Sequence, residues 1–338
     1  MTQDPIRVPY DVVEEFILKV FRKLGVPDPD ASVCASHIVD ADRRGISSHG
    51  VNRMRPFYYE RLKKGLQRPV TEMEVVRESP ATAVVDATFG MGHVIAKRSM
   101  GMAIDKAQEF GMGMVAVRNS THFGFAGYYT KMAADEEMIG ICGTNARPSV
   151  APTFGTEGMM GTNPLSYAFP TDEDFPFVLD CATPITQRGK IEYLAREGKK
   201  VPSGLIIGKD GNYRTDTEGI LRDLPSGEAA FLPLGGRGEE TGGYKGYGYS
   251  AAVEILSAAL QGGPFLKMLS GFSGGEKIPY RLGHFFIAIN AGAFTEPDNF
   301  KKTAGDILRS LRDSKKAPGE EKVYTAGEKE YLSWEESI

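Results

Sequence analysis

Between Tyr10 and Leu24 the apolar residues Val12, Val13, Phe16, Ile17, Val20, Phe21 and Leu24 return every three or four positions, the spacing that lines one side of an α-helix, and Gly25 follows as a stop. The pattern predicts an opening helix. A second helix is predicted from about Asp30 to Gly45, and a third with Pro56 in its first turn, where the missing N–H costs nothing, and Gly65 past its end. Residues 1–70 therefore read as helical.

From Thr71 the texture changes. The stretches "MEVVRES" and "ATAVVDAT", rich in valine, look like strands, "HVIAKRSMGMAIDKAQEFG" looks like a helix, and "MVAVRNS" looks like another strand. Further strands are predicted in "MIGICGT", "PLSYAFP", "FPFVLDC" and "HFFIAIN", helices in "TQRGKIEYLAREG" and "SAAVEILSAAL", and a turn at "KDGN". Strands interleaved with helices over residues 71–290 give an α/β fold. The segment "PDNFKKTAGDILRSLRDSKK" adds a last helix, expected to return to the N-terminal ones, so that both chain ends (1–70 and 291–338) build a helical domain. The final "EYLSWEESI" carries no readable period.

Composition narrows the class. With 338 residues, 41% hydrophobic and 25% charged, the chain can bury a core and is neither fibrous nor disordered. A formal net charge of −4 gives no basic field for a phosphate backbone, which argues against nucleic acid. Cys34, Cys142 and Cys181 are few, odd in number and far apart, as expected in a reducing compartment rather than in a disulfide framework. The N-terminus has no apolar signal-type core, and no run reaches the roughly 18 apolar residues of a membrane span. A cytoplasmic protein with no membrane partner is expected.

The chemistry-bearing residues are sparse. "GMGMVA" at Gly111 has dinucleotide-binding spacing but stands between a helix and a strand, the reverse of the required order. "FGMGHVI" has the right order but Ile95 in place of the third glycine, so a standard Rossmann site is not expected. The five histidines, His37, His49, His93, His122 and His284, form no H-x-H or H-E-x-x-H pair, and no C-x-x-C is present, so no metal site is expected. His37 and His284 read as packing or surface residues, and His93 as a first-turn helix residue. His49 and His122 differ, each lying in a polar, glycine-flanked bend of the kind that carries function. Arg53, four residues after His49, suits two-pronged carboxylate binding, with Ser48 beside it; a surface ion pair and a helix cap explain the same spacing. Asp180, at a strand end, suits either orienting a histidine or holding ribose hydroxyls. Nine glycines fall among positions 235–263, with Lys245 in their midst before a helix, a fair phosphate cradle.

Taken in order, "ADRRGISSHGVNRMRPFY", "RNSTHFGFAGYY", "GTNPLSYAFP", "LDCATPITQRGKI", "LPLGG…GGYKGYG…VEIL" and "GHFFIAI" resemble the malate/L-lactate dehydrogenase family, which also contains sulfolactate, ureidoglycolate and diketogulonate enzymes. The likeness spans nearly the whole chain. It implies an NAD(P)-dependent oxidoreductase with a non-Rossmann cofactor domain, a mixed sheet, a helical domain from both chain ends, and homodimers with active sites at the subunit contact.

Carried onto this sequence, the resemblance makes Ser48, His49 and Arg53 the substrate-binding group and His122 the proton donor or acceptor, with His49 its rival and Asp180 a further catalytic candidate. It marks Asn145, the run Val178, Leu179, Asp180, Cys181, Ala182, Thr183 and Pro184, the pair Tyr244 and Lys245, and Ala326, Gly327 and Glu328 as cofactor contacts. Thr121, Pro184 and Tyr244 depart from residues usual in the family. The implied reaction is hydride transfer between a small 2-hydroxy acid and NAD, with NADP as the alternative. Malate is the first choice; lactate, sulfolactate, ureidoglycolate or a cyclic imino acid are the others. A catalytically silent dinucleotide-binding protein and a metal-dependent hydrolase or lyase are the readings from other classes.

Overall fold

The computed structural model describes residues 7–338. The opening helix α1 (Tyr10–Lys23) buries Ile17 and Phe21 and leaves Val12 and Phe16 facing outward, so only part of its apolar stripe meets the core. Helix α2 (Asp28–Arg43) starts two residues before the expected position, behind Pro27, and ends at Gly45, whose φ of +72° turns the chain left-handed. The third helical segment departs from expectation. It begins at Val51 as a 3-10 turn, widens to a π-helix over Met54–Tyr59 and closes as α3 (Glu60–Lys63), so Pro56 lies inside it rather than in its first turn. A wider coil accommodates a ring that would clash with the carbonyl four residues back. The apolar cluster joining α1, α2 and this segment includes Phe21, Ile38, Tyr58 and Leu62, with Met91 and Val94 from the α/β part.

That part is built from β1 (Glu74–Glu78), β2 (Thr82–Asp86), α4 (Gly92–Phe110), β3 (Met112–Ser120), α5 (Gly127–Asp135), β4 (Met138–Thr144), β5 (Leu165–Phe169) and β6 (Phe177–Cys181). There follow α6 (Arg188–Arg196), β7 (Ile206–Gly208), α7 (Thr217–Asp223), β8 (Ala229–Phe231), α8 (Gly243–Ala258), the two-residue strands β9 (Phe272–Ser273) and β10 (Glu276–Lys277), and β11 (Leu282–Asn290). The chain closes with α9 (Pro297–Arg312) and α10 (Glu328–Glu335).

Seven strands form one mixed sheet in the order β1-β2-β3-β11-β4-β5-β6. Only β2 and β3, joined by the α4 crossover, are parallel; every other neighbouring pair is antiparallel. The fold is mixed α/β. Helices α4 and α5 cover one face, where Ile95, Met100, Tyr129 and Phe286 share a core. A Cβ on Gly113 would stand 2.0 Å from the Ala103 carbonyl of α4, so glycine is what lets helix and strand touch. Helix α8 lies against β11 and β4. Between β6 and α8, strands β7 and β8 pair antiparallel over a second cluster containing Ile191, Ile206, Ile220 and Phe231. The expected "KDGN" turn is present, with Gly211 at φ +81° and the Asp210 carboxylate accepting the Asn212 N–H at 3.0 Å.

The C-terminal region corrects the expected single return. Helix α9 is tied to the β5–β6 connection, with Arg309 Nη1 2.9 Å from Asp172 and 3.2 Å from Glu173, and with Lys301 paired to Glu137. It is α10, in the stretch without a readable period, that reaches the N-terminal helices. There the Ser333 hydroxyl donates to the Arg43 carbonyl at 3.0 Å, and Arg44 lies over the Trp334 ring. No helix among the described residues is long and apolar enough to cross a membrane.

Candidate active site

The loop after α2 folds back on its own helix. The Asp42 carboxylate accepts the Val51 N–H at 2.8 Å and occupies the space a Cβ on Gly50 would need. The Arg53 Nε–H donates to the Ser48 carbonyl at 2.6 Å, and Ser48 Oγ meets His49 Nδ1 at 2.9 Å. Ser48, His49 and Arg53 are therefore one fixed unit. The opposing bend follows β3. Gly124 takes φ +83°, and a Cβ there would lie 2.1 Å from Nε2 of the buried His37. This bend lays His122 against His49, ring centres 5.6 Å apart and planes 12° from parallel. Two histidines separated by 73 positions meet.

His122 is held from behind. Its Nδ1 is 2.7 Å from Tyr58 Oη, which also meets Nε2 of the buried His93 at 3.1 Å. Burial and the neighbouring rings and Arg53 keep His122 neutral, well below the usual histidine range. Burial, then Arg53, lowers His49 to about 4, and burial lowers His93 to about 3. Tyr58 and His93 are the functional neighbours that sequence reasoning missed. An α-helical register would have put Phe57, not Tyr58, one turn beyond Arg53; the π-helix over Met54–Tyr59 is what turns Tyr58 to His122.

Arg53 also donates to Glu192 of α6 at 3.2 Å, and Glu192 accepts from Arg188 at 2.8 Å. A carboxylate thus already sits on one arm of the guanidinium, and a ligand carboxylate must share or displace it.

Ser48 and His49 lie at one end of a cleft of about 640 Å³, within the size range of small-molecule sites. One wall is β6 and its extension, with Val178, Leu179, Asp180, Cys181, Ala182 and Pro184; Ala326 and Gly327 close the floor. The apolar wall, the carboxylates of Asp180 and Glu330, and the cations Arg44, Lys131 and Lys190 offer faces for rings, hydroxyls and phosphates together. A Cβ on Gly327 would come within 2.9 Å of the Val178 backbone nitrogen, so the tail approaches β6 only because that position is glycine. The donor set fits an extended, anionic, hydroxyl-bearing cofactor. No group of three or more metal-ligating side chains occurs among the described residues.

Asp180 does not orient a histidine. Its Oδ2 accepts the Gly127 N–H at the start of α5 at 2.7 Å, burial raises its pKa to about 6, and Tyr58 instead takes the place behind His122. Thr183 and Glu328 are buried behind the lining, Thr183 on the carbonyls of Thr162 and Asn163, Glu328 on the Thr325 N–H. Asn145 is fully buried and exchanges hydrogen bonds with the Gly283 backbone, away from the cleft. Tyr244 and Lys245 project from the first turn of α8, exposed and outside the cleft of their own chain. Two of the glycines around them serve packing, since a Cβ on Gly246 would lie 2.2 Å from the Leu234 carbonyl and one on Gly243 2.1 Å from the Gly236 carbonyl. Thr121 bridges the β2–α4 loop, accepting from the Gly92 N–H at 3.0 Å and donating to the Gly90 carbonyl at 2.9 Å.

Comparison with known proteins agrees in extent and in fold. Residues 8–338 match the family described as malate/L-lactate dehydrogenase. The chain is 43% identical to a malate dehydrogenase of Pyrococcus horikoshii, over 98% of this chain and 89% of that one. It is 40% identical to an L-sulfolactate dehydrogenase of Methanocaldococcus jannaschii, over 90% and 84%. The crystal structure of malate dehydrogenase from Entamoeba histolytica superimposes with a TM-score of 0.95 at 44% identity, covering 98% and 92%. With His49 lining the end of the cleft, His122 stacked against it, and a likeness running from end to end, the chain belongs to the malate/L-lactate dehydrogenase family.

Proposed function

We propose that this chain is an NAD(P)-dependent dehydrogenase that interconverts a small 2-hydroxy acid and its 2-oxo acid, with malate and oxaloacetate as the first substrate pair. The observation that carries the reading is the unit of Ser48, His49 and Arg53 facing His122, with Ser48 and His49 lining one end of the cleft. Arg53 binds the C1 carboxylate, taking over the arm now turned to Glu192. A histidine takes up or gives the hydroxyl proton at C2. The nicotinamide cofactor, when bound, supplies the hydride chemistry. Val178 to Cys181, Ala182, Pro184, Ala326 and Gly327 would hold it, with Asp180 on ribose hydroxyls and Lys190, which has no carboxylate partner within ion-pair distance among the described residues, near its phosphates. Burial is the main cause of the low His49 value and Arg53 the second, so a substrate carboxylate on Arg53 relieves only the smaller cause.

Malate as the first substrate rests on the likeness to malate dehydrogenases, with sulfolactate next, since among the cations lining the cleft Arg44 and Lys131 are paired with Asp40 and Asp135. NAD is the preferred cofactor and NADP the alternative. In this reading residues 1–70 form a helical part and 71–290 a non-Rossmann cofactor-binding part, with 291–338 shared between them. A cytoplasmic homodimer gives the exposed Tyr244 and Lys245 a place at the partner's cofactor cleft.

The test is absorbance at the reduced-nicotinamide band with NADH or NADPH and oxaloacetate, sulfopyruvate, pyruvate and cyclic imines. Oxidation with oxaloacetate fastest supports the proposal. Cofactor binding with no turnover on any of them refutes it in favour of a silent dinucleotide-binding protein.

A further inference from the structure

The two histidines at the cleft end have inner nitrogens held in different ways. His49 Nδ1 meets the Ser48 hydroxyl at 2.9 Å, and that hydroxyl makes no other hydrogen bond among the described residues. A serine O–H rotates, donating to a bare nitrogen or accepting from a protonated one. Either neutral tautomer of His49, and its imidazolium, is satisfied.

His122 has no such freedom. Its Nδ1 faces Tyr58 Oη at 2.7 Å and the Gly124 N–H at 3.4 Å, and Tyr58 Oη is shared with His93 Nε2 at 3.1 Å. One phenol proton lies between two ring nitrogens, so the row of protons must point one way or the other. Two observations choose the direction. The Gly124 N–H can only donate, so the nitrogen it faces is an acceptor. His93 Nδ1 is fully buried without a partner among the described residues, and a bare nitrogen there costs less than a stranded N–H, which places the His93 proton on Nε2. Both give the same row: His93 Nε2–H donates to Tyr58 Oη, Tyr58 O–H donates to His122 Nδ1, and His122 keeps its proton on Nε2, which makes no hydrogen bond among the described residues. A second proton on Nδ1 would confront two donors. The charged and titratable groups around His122 are His49 and Arg53 from the first bend, Tyr58 and His93 behind it, and His284 from β11. None is a carboxylate that would favour an imidazolium.

We infer that, within the hydroxy-acid reading above, the two histidines divide the work: His122 is a constantly neutral hydrogen-bond donor to the oxygen at C2, and His49 carries the proton. Tyr58 and His93 are positioning residues that fix the His122 tautomer. In the reducing direction negative charge develops on the C2 oxygen. The His49 Nε2–H bond breaks, the new O–H bond forms, and His49 is left neutral. In the oxidising direction His49 takes the hydroxyl proton back. His122 Nε2–H stabilises the charge in both directions without leaving its nitrogen.

The deciding experiment is nitrogen-15 NMR of the five histidine rings in the full-length, cofactor-free protein, with His122→Asn identifying its signals. Expected is a neutral Nε2–H tautomer for His122, unchanged from pH 8 to pH 6, and loss of that single tautomer in Tyr58→Phe. A His122 proton on Nδ1, or protonation of His122 in that range, overturns the inference without any variant at Tyr58. Kinetics add a second reading. His122→Asn should lower kcat by about a hundredfold to a thousandfold with the pH dependence of kcat/KM intact, whereas His49→Asn should abolish that dependence. Survival of the pH dependence in His49→Asn overturns the division of labour. Wild-type protein that turns over none of the acids refutes the dehydrogenase reading instead, and the ring spectra still decide the tautomer.

Discussion

Acid should unfold this protein through its histidines. His37, His93 and His284 are fully buried, and burial is the largest cause holding each below its ordinary range, His93 and His284 at about 3. In the unfolded chain each titrates near 6.5. A group whose folded value is depressed leaves the unfolded state binding more protons, so stability falls as pH drops below the unfolded value. From pH 8 to pH 5 one such ring costs about 2 kcal/mol, and three cost about 6 kcal/mol. His49 and His122 act in the same direction but reach solvent, and are left out of the sum. Asp180 opposes them. Its folded value of about 6, above the unfolded 3.8, makes it favour the fold as pH falls through 6, returning about 1 kcal/mol by pH 5. The net loss of about 5 kcal/mol compares with a usual total of about 5–15 kcal/mol. Urea unfolding at pH 8, 7, 6 and 5 should show the midpoint falling most steeply below pH 6.5, and His284→Gln should flatten the slope by about one proton. A midpoint level between pH 8 and pH 5 would refute the reasoning.

Gly124→Ala should do damage out of proportion to its size. The added Cβ demands the 2.1 Å space at His37 Nε2 and a left-handed residue costing about 1–2 kcal/mol, so turnover should fall about a hundredfold as His122 shifts from His49; unchanged turnover and melting would mean the bend is not held by that contact. Asp180→Asn keeps an acceptor for the Gly127 N–H and removes a charge that burial disfavours. The variant should be close to wild type near pH 4 and more stable by up to about 3 kcal/mol at pH 8, read from urea midpoints; destabilisation at both pH values would sink this account. Glu192→Gln should lower the KM for the 2-oxo acid severalfold by freeing Arg53, and Arg53→Lys should raise it at least tenfold; KM values unmoved in both would remove Arg53 from carboxylate binding.

The sequence by itself determined the local elements where one period ran long enough. Ile17 and Phe21 in α1, the short apolar runs of β3 and β11, and the "KDGN" turn all form as their local pattern dictates, because helix period, strand propensity and turn chemistry act over a few residues. It also singled out His49 and His122, since polar groups next to glycine in a bend are legible one at a time. Helices α5, α7 and α10 passed unread; seven to nine residues carry too little period to stand out. What only the tertiary structure decided is adjacency. Nothing along the chain puts Tyr58 between His93 and His122, turns Asp180 to the start of α5, draws Glu192 onto Arg53, or sends α9 to the sheet and α10 to α2. Those pairings are fixed by which surfaces are left to bury once the local elements exist, a property of the packed whole and not of any segment's spacing.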